Sequence, residues 1–162
     1  MRKAVFCLLI FLTALLSCSS IDCPVETKVQ VRYGFYKTGE TVDTLADTLS
    51  VWTTRNNGTD TLIFNRAFDR TSIQLPISYQ HPEDILYFHF TDSNKVLTVD
   101  TVWLQKDDIP HFESVDSAAH SFHTLTAVRS THHRIDTLII NNPSVNYEST
   151  VEHIRIQFKA HH

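Results

Sequence analysis

Along most of this chain, apolar residues recur at every second position. Val29, Val31, Tyr33 and Phe35 share one parity, and Lys28, Gln30 and Arg32 occupy the other. Only an extended strand sends alternate side chains to opposite faces, so this spacing predicts a half-buried β-strand. Leu49 and Val51 sit in a second run, which closes at Asn56-Asn57-Gly58, a strong hairpin signal. Leu62-Ile63-Phe64 follows, then Ile73, Leu75, Ile77 and Tyr79, where Pro76 lacks a donor and marks an edge or a bulge. Ile85 to Phe90 is apolar on both faces apart from His89, and Asp92-Ser93-Asn94 turns the chain into Val96 to Leu104. Ile135 to Ile140 and Val151 to Phe158 complete the set, with Ile154, Ile156 and Phe158 facing inward and Arg155 and Gln157 outward.

No window carries a 3.6-residue amphipathic pattern, and residues 118–127 are the one place where a short helix is expected. About eight short strands separated by turn chemistry predict an all-β fold, a single antiparallel β-sandwich, most simply immunoglobulin-like. There is no Pro/Gly/Ser-rich linker and no repeat of solenoid length, so residues 26–159 read as one domain.

The first residues follow a different rule. Arg2 and Lys3 precede an apolar run from Ala4 to Leu16, broken only by Thr13, and Ser17 precedes Cys18. A positive start, a short apolar stretch and a small residue before the cut describe a secretory signal peptide over residues 1–17. As a helix the run would span only ~20 Å, short of the ~30 Å hydrocarbon core, which disfavours an uncleaved anchor. Leu15-Leu16-Ser17-Cys18 resembles the bacterial lipobox, which implies lipidation of Cys18, a tether over residues 18–25 and membrane attachment through the lipid. Without Arg2 and Lys3 the chain carries 12 basic against 18 acidic side chains. That balance argues against nucleic acid as a partner and against electrostatic attachment to an anionic lipid surface. Ser19 offers no acidic retention signal, so the outer membrane is expected. Ser19-Ser20-Ile21-Asp22 is poor in the charge associated with surface export, so a periplasm-facing domain is expected over cell-surface exposure. Cys23 is then the lone free thiol, with no basic or helical setting to activate it.

A short pattern recurs. Asp, then Ser or Thr, then an aliphatic residue occurs at Asp43-Thr44-Leu45, Asp47-Thr48-Leu49, Asp60-Thr61-Leu62, Asp100-Thr101-Val102, Asp116-Ser117-Ala118 and Asp136-Thr137-Leu138. Composition alone predicts about one such triplet. The pattern resembles the acceptor sequence for protein O-glycosylation in Bacteroidetes, which implies Thr44, Thr48, Thr61, Thr101 and Ser117 as acceptors. Thr137 leads into a very apolar run and is the poorest candidate. An equal explanation is structural: Asp favours turns, Thr favours strands and the aliphatic residue enters the core, so the triplet starts a strand.

His111-Phe112-Glu113-Ser114-Val115-Asp116, Phe122-His123-Thr124-Leu125-Thr126, Ile135-Asp136-Thr137-Leu138-Ile139-Ile140-Asn141-Asn142-Pro143 and His153-Ile154-Arg155-Ile156-Gln157-Phe158 together resemble a family of small uncharacterised lipoproteins from Bacteroidetes. The likeness covers roughly residues 20–159 in layout and is sharp across 111–158. It implies an exported, lipidated β-domain and brings no catalytic residue with it.

Chemistry-bearing clusters are few. His120, His123, His132 and His133 lie close together, with Glu113 and Asp116 upstream. Odd or adjacent spacing sends strand side chains to opposite faces, so no metal site and no cofactor are expected. His161 and His162 end the sequence and are given no role. Asp84, Asp107, Asp108 and Glu113 could pair as carboxylates, but sequence does not supply the spacing and charged loops are the ordinary explanation. There is no G-x-S-x-G elbow, no H-E-x-x-H and no phosphate-cradling Gly loop. No catalytic residue is assigned. The leading expectation is a non-catalytic envelope lipoprotein, structural or accessory, with an envelope protein as partner. The alternative is a carbohydrate- or ligand-binding lipoprotein, for which Trp52, Trp103, Tyr79 or Tyr147 would be stacking platforms, although both Trp are expected to face inward. A metal-dependent hydrolase using the His cluster comes third.

Overall fold

The alternation at residues 29–35 becomes an inner strand of a small sheet. In the computed structural model, which describes residues 28–112, 120–148 and 150–159, Val29, Val31, Tyr33 and Phe35 are all buried. The strands are β1 (Gln30–Lys37), β2 (Thr48–Thr54), β3 (Asp60–Ala67), β4 (Ser72–Pro76), β5 (Glu83–Thr91), β6 (Leu97–His111), β7 (His120–Ser130), β8 (Ile135–Ile140), β9 (Ser144–Val145) and β10 (Ile154–Phe158). They form a four-stranded sheet, β4-β1-β10-β8, and a six-stranded sheet, β3-β2-β5-β6-β7-β9.

The two sheets face each other as a sandwich. Leu86, Phe88 and Phe90 of β5, Val102 and Leu104 of β6, and Ile154, Ile156 and Phe158 of β10 point into it and are buried. Aromatic rings join the layers: Tyr33 lies edge-on to Phe88 at 5.9 Å, and Phe158 to Phe90 at 5.7 Å. Burying each such side chain contributes about 1.5–3 kcal/mol, which is why the alternating positions decide the register. Asn56-Asn57-Gly58 makes the expected turn between β2 and β3, with Gly58 at φ 76° donating its N–H to the Arg55 carbonyl at 2.8 Å. Pro76 ends β4, an edge strand, where its missing N–H costs no ladder bond. Among the described residues there is no helix long and apolar enough to cross a membrane.

Three expectations need correction. The sandwich is not wholly antiparallel, because β1 and β10 run parallel from Tyr33 opposite Ile154 to Lys37 opposite Phe158. Residues 120–127 belong to a strand rather than a helix, since β6 runs on past Leu104 to His111 and supplies a ladder that β7 completes. Asp100 lies inside β6 rather than at its start. Residues 1–17, Cys18, the 18–25 tether, Cys23, Glu113, Asp116, Ser117, His161 and His162 lie outside the described residues.

One end of the sandwich gathers the start of β1, the chain leaving β4 and the far end of β6. Gln30, at the start of β1, is opposite Pro76. The chain leaving β4 donates the Ser78 N–H to Asp84 at 3.0 Å and lays Tyr79 against His123 at 5.5 Å. This is the proximal end, where the chain enters its first strand. Gln105 is the last residue of β6 with a partner on β5. Beyond it, β6 and β7 continue as an arm, joined by β9 at His123 and Thr124, whose ladder reaches His111 opposite His120.

Candidate functional site

The open face of the six-stranded sheet is built by the same alternation that fills the core. Val51 is buried, so Trp52 turns outward; Leu86 and Phe88 are buried, so Ile85, Tyr87 and His89 turn outward; Val102 and Leu104 are buried, so Trp103 turns outward. Cross-strand register then collects them. Trp52 is opposite Tyr87, Ile85 is opposite Trp103, and Trp103 is opposite Arg129. The Trp52 and His89 rings lie 6.0 Å apart at 36°, and Arg129 lies over Trp103 at 4.2 Å. Trp52, Asp60, Tyr87 and His89 line a shallow depression of about 340 Å³. The expectation that both Trp pack inward is therefore wrong. Each Trp occupies the polar-facing parity of its strand and is half-buried there.

A second cluster closes the root of the arm. Alternation from Leu104 places Lys106 inward, with its side chain fully buried. Its ammonium donates to the His81 carbonyl at 2.7 Å and to Asp108 Oδ1 at 2.9 Å. His123, also buried, brings Nδ1 to the same Asp108 oxygen at 2.7 Å. An ionised carboxylate only accepts, so Nδ1 carries the proton and neutral His123 keeps a bare lone pair on Nε2. That atom is buried without a hydrogen-bond partner. Burial holds the His123 imidazole below its ordinary 6.5, against the opposing pull of Asp108. Asp108 also loses solvation, but the hydrogen bonds from Lys106 and His123 outweigh that and hold it below the usual carboxylate range. Asp84 goes the other way: burial raises it, only partly offset by the Ser78 N–H. It borders a cleft of about 730 Å³ between the β2–β3 turn and the β4–β5 loop.

The other sequence candidates disperse. Of the carboxylates, Asp84 and Asp108 both reach this cluster, whereas Asp107 is exposed on the arm. His132 and His133 sit in the exposed β7–β8 loop, at the opposite end of β7 from His123. Among the described residues, no three His, Cys, Asp or Glu side chains form a metal-binding group. Tyr79 is exposed at the proximal end, while Tyr147 packs edge-on to Phe122 at 4.9 Å. Thr44 is exposed in the β1–β2 loop, and Thr48, Thr61 and Thr101 are half-buried on strands. Two of the triplet aspartates are structural. Asp47 pairs with Arg134 at 2.8 Å, and buried Asp100 accepts the N–H groups of His133, Arg134 and Ile135 within 2.8 Å.

A family model described as a family of unknown function (DUF6452) matches residues 48–158. The chain belongs to that family. No curated protein and no solved structure matches it. The DUF6452 span begins with the first residue of β2 and ends with the last of β10, so it holds the whole six-stranded sheet, its aromatic face and the buried root of the arm. β1, which completes the smaller sheet, precedes it. Sequence reasoning missed the Lys106–Asp108–His123 cluster. The available signal was Lys106 on the inward parity set by Leu104, which becomes readable only once β6 is known to extend past Leu104.

Proposed function

We propose that this DUF6452 chain is an exported lipoprotein that acts by binding rather than by turnover, and that its ligand surface is the open face of the six-stranded sheet. In this reading, residues 1–17 are removed and Cys18 is lipidated. An immunoglobulin-like domain is then held at the outer membrane, facing the periplasm. The observation that supports a binding role is the outward position of Trp52 and Trp103, with Tyr87, His89 and Ile85 between them. Flat rings beside a carboxylate suit carbohydrate. The apolar faces of sugar rings stack on aromatic side chains, while Asp60 and His89 offer hydrogen-bonding groups at the rim of the depression. A purely structural or accessory lipoprotein, contacting an envelope protein through this face, would not require a depression with polar groups at its edge.

Titration of the mature protein with a panel of oligosaccharides, followed through tryptophan emission, tests the reading. Saturable spectral change, lost in Trp52→Ala and weakened in Trp103→Ala, is the expected result. No response to any glycan in the panel, with both variants folded, would overturn the carbohydrate assignment.

A further inference from the structure

We propose that the β6–β7 arm rests on a zwitterionic phospholipid surface beside the lipid anchor, with Ile109 and Phe112 in the interfacial layer. The inference rests on lipidation at Cys18. Three observations carry it. The chain enters β1 at the proximal end, and the arm leaves the sandwich from that same end, linked to it by the Tyr79–His123 and Lys106–His81 contacts. The first described residues therefore enter the domain from the side towards which the arm projects. The arm exposes large apolar side chains there: Ile109 is 49% exposed and Phe112 72%. Finally, the lengths agree. Seven residues from Gln105 to Phe112 extend about 23 Å at ~3.3 Å per residue, and the ten residues from Cys18 to Lys28 reach at most ~36 Å. The tether is long enough for the arm to touch the bilayer and too short to carry the domain far from it.

The arm is built to bear such a contact. His111 stacks on Phe122 at 4.2 Å, and Tyr147 closes on both rings. β9 pairs with β7 at His123 and Thr124, and the buried Lys106–Asp108–His123 cluster fixes the root. Charge selects the surface. Asp108 is engaged by Lys106 and His123, leaving Asp107 exposed, so the described residues of the arm offer anionic headgroups no basic patch.

The test uses the full lipidated chain with Cys23→Ser and a single reporter cysteine, Phe112→Cys on the arm or Asn94→Cys on the β5–β6 turn at the distal end. Each is labelled with an environment-sensitive fluorophore and reconstituted into vesicles of phosphatidylcholine and phosphatidylethanolamine. The label at 112 is expected to shift to the blue and to be quenched by lipids spin-labelled near the headgroup, and the label at 94 to do neither. Protein that floats with the vesicles yet shows no shift at 112, or equal quenching at both positions, overturns the arm contact and leaves the anchor standing. A shift at 112 in native membranes but not on vesicles assigns the arm to a protein partner and likewise overturns it. A mature chain whose mass lacks the acyl chains and which does not float overturns both readings together.

Discussion

His123 and Lys106 reach the same oxygen. One brings its Nδ1 to Asp108 Oδ1 at 2.7 Å and the other its ammonium at 2.9 Å, so a carboxylate about a third exposed holds two fully buried side chains. Removing Asp108 leaves Lys106 with only the His81 carbonyl and strands His123. Asp108→Ala should destabilise by roughly 2–3 kcal/mol in urea unfolding, below the 3–5 kcal/mol of a fully buried pair because Asp108 is partly hydrated. Adding Lys106→Met removes the orphaned charge and should recover part of that loss. Additive losses in the double variant would show that the three groups are not coupled.

Acid should weaken the fold through its buried imidazoles. Burial lowers both His123 and His153 from 6.5, the latter with its Nδ1 accepting the Arg32 N–H at 3.0 Å. The unfolded chain takes up protons first, so the stability these groups contribute is complete above pH 6.5 and is lost as pH falls through their lower folded values. Asp108, also lowered, contributes stability that is complete above its ordinary 3.8 and is lost only as pH falls below that value. Asp84, raised, has the opposite sign, gaining stability as the carboxyl protonates. Melting temperature should therefore fall from pH 7 to pH 5, with a shallower slope in His153→Asn. An unchanged slope in that variant would remove His153 from the account.

Asp100 holds the crossover between the sheets. It accepts the backbone N–H groups of His133, Arg134 and Ile135 and the Thr131 hydroxyl. Asp100→Ala orphans several donors at once and should cost about 3 kcal/mol, since each buried unsatisfied group costs ~1–3 kcal/mol. Amide exchange at residues 133–135 should accelerate before the rest of β8 does.

The strands were legible wherever one face is buried and the other wet, as in β1 and β10. What the sequence hid was tertiary in origin. Phe122, His123 and Leu125 suit a strand only because β6 continues far enough to pair with them. The parallel partner of β1 depends on which end β10 enters from, and no local pattern encodes that. Trp52 and Trp103 carry readable parity, yet their size suggested core; neighbours Val51, Val102 and Leu104 were the better guide. The triplet at Asp100 looked like a strand start because the carboxylate's partners lie more than thirty residues downstream.

The outward rings predict a measurable optical behaviour. Native emission should be quenched by acrylamide, with both Trp contributing. Arg129→Ala should cost under about 1 kcal/mol, the usual range of an exposed cation–π contact. Emission inaccessible to acrylamide would contradict the open-face position of the two rings.

The pairing of β1 with β10 also sets a schedule. The hydrogen bond from the Arg32 N–H to His153 spans 121 residues of sequence. β1 is the first of the described strands and its parallel neighbour β10 the last, and closing so long a loop before any contact rewards it slows folding. The smaller sheet cannot assemble until β10 is present. A chain with that dependency leaves β1 without its parallel partner until the last described strand arrives, and truncation anywhere before residue 154 should yield fragments that proteases clear rather than a smaller folded product.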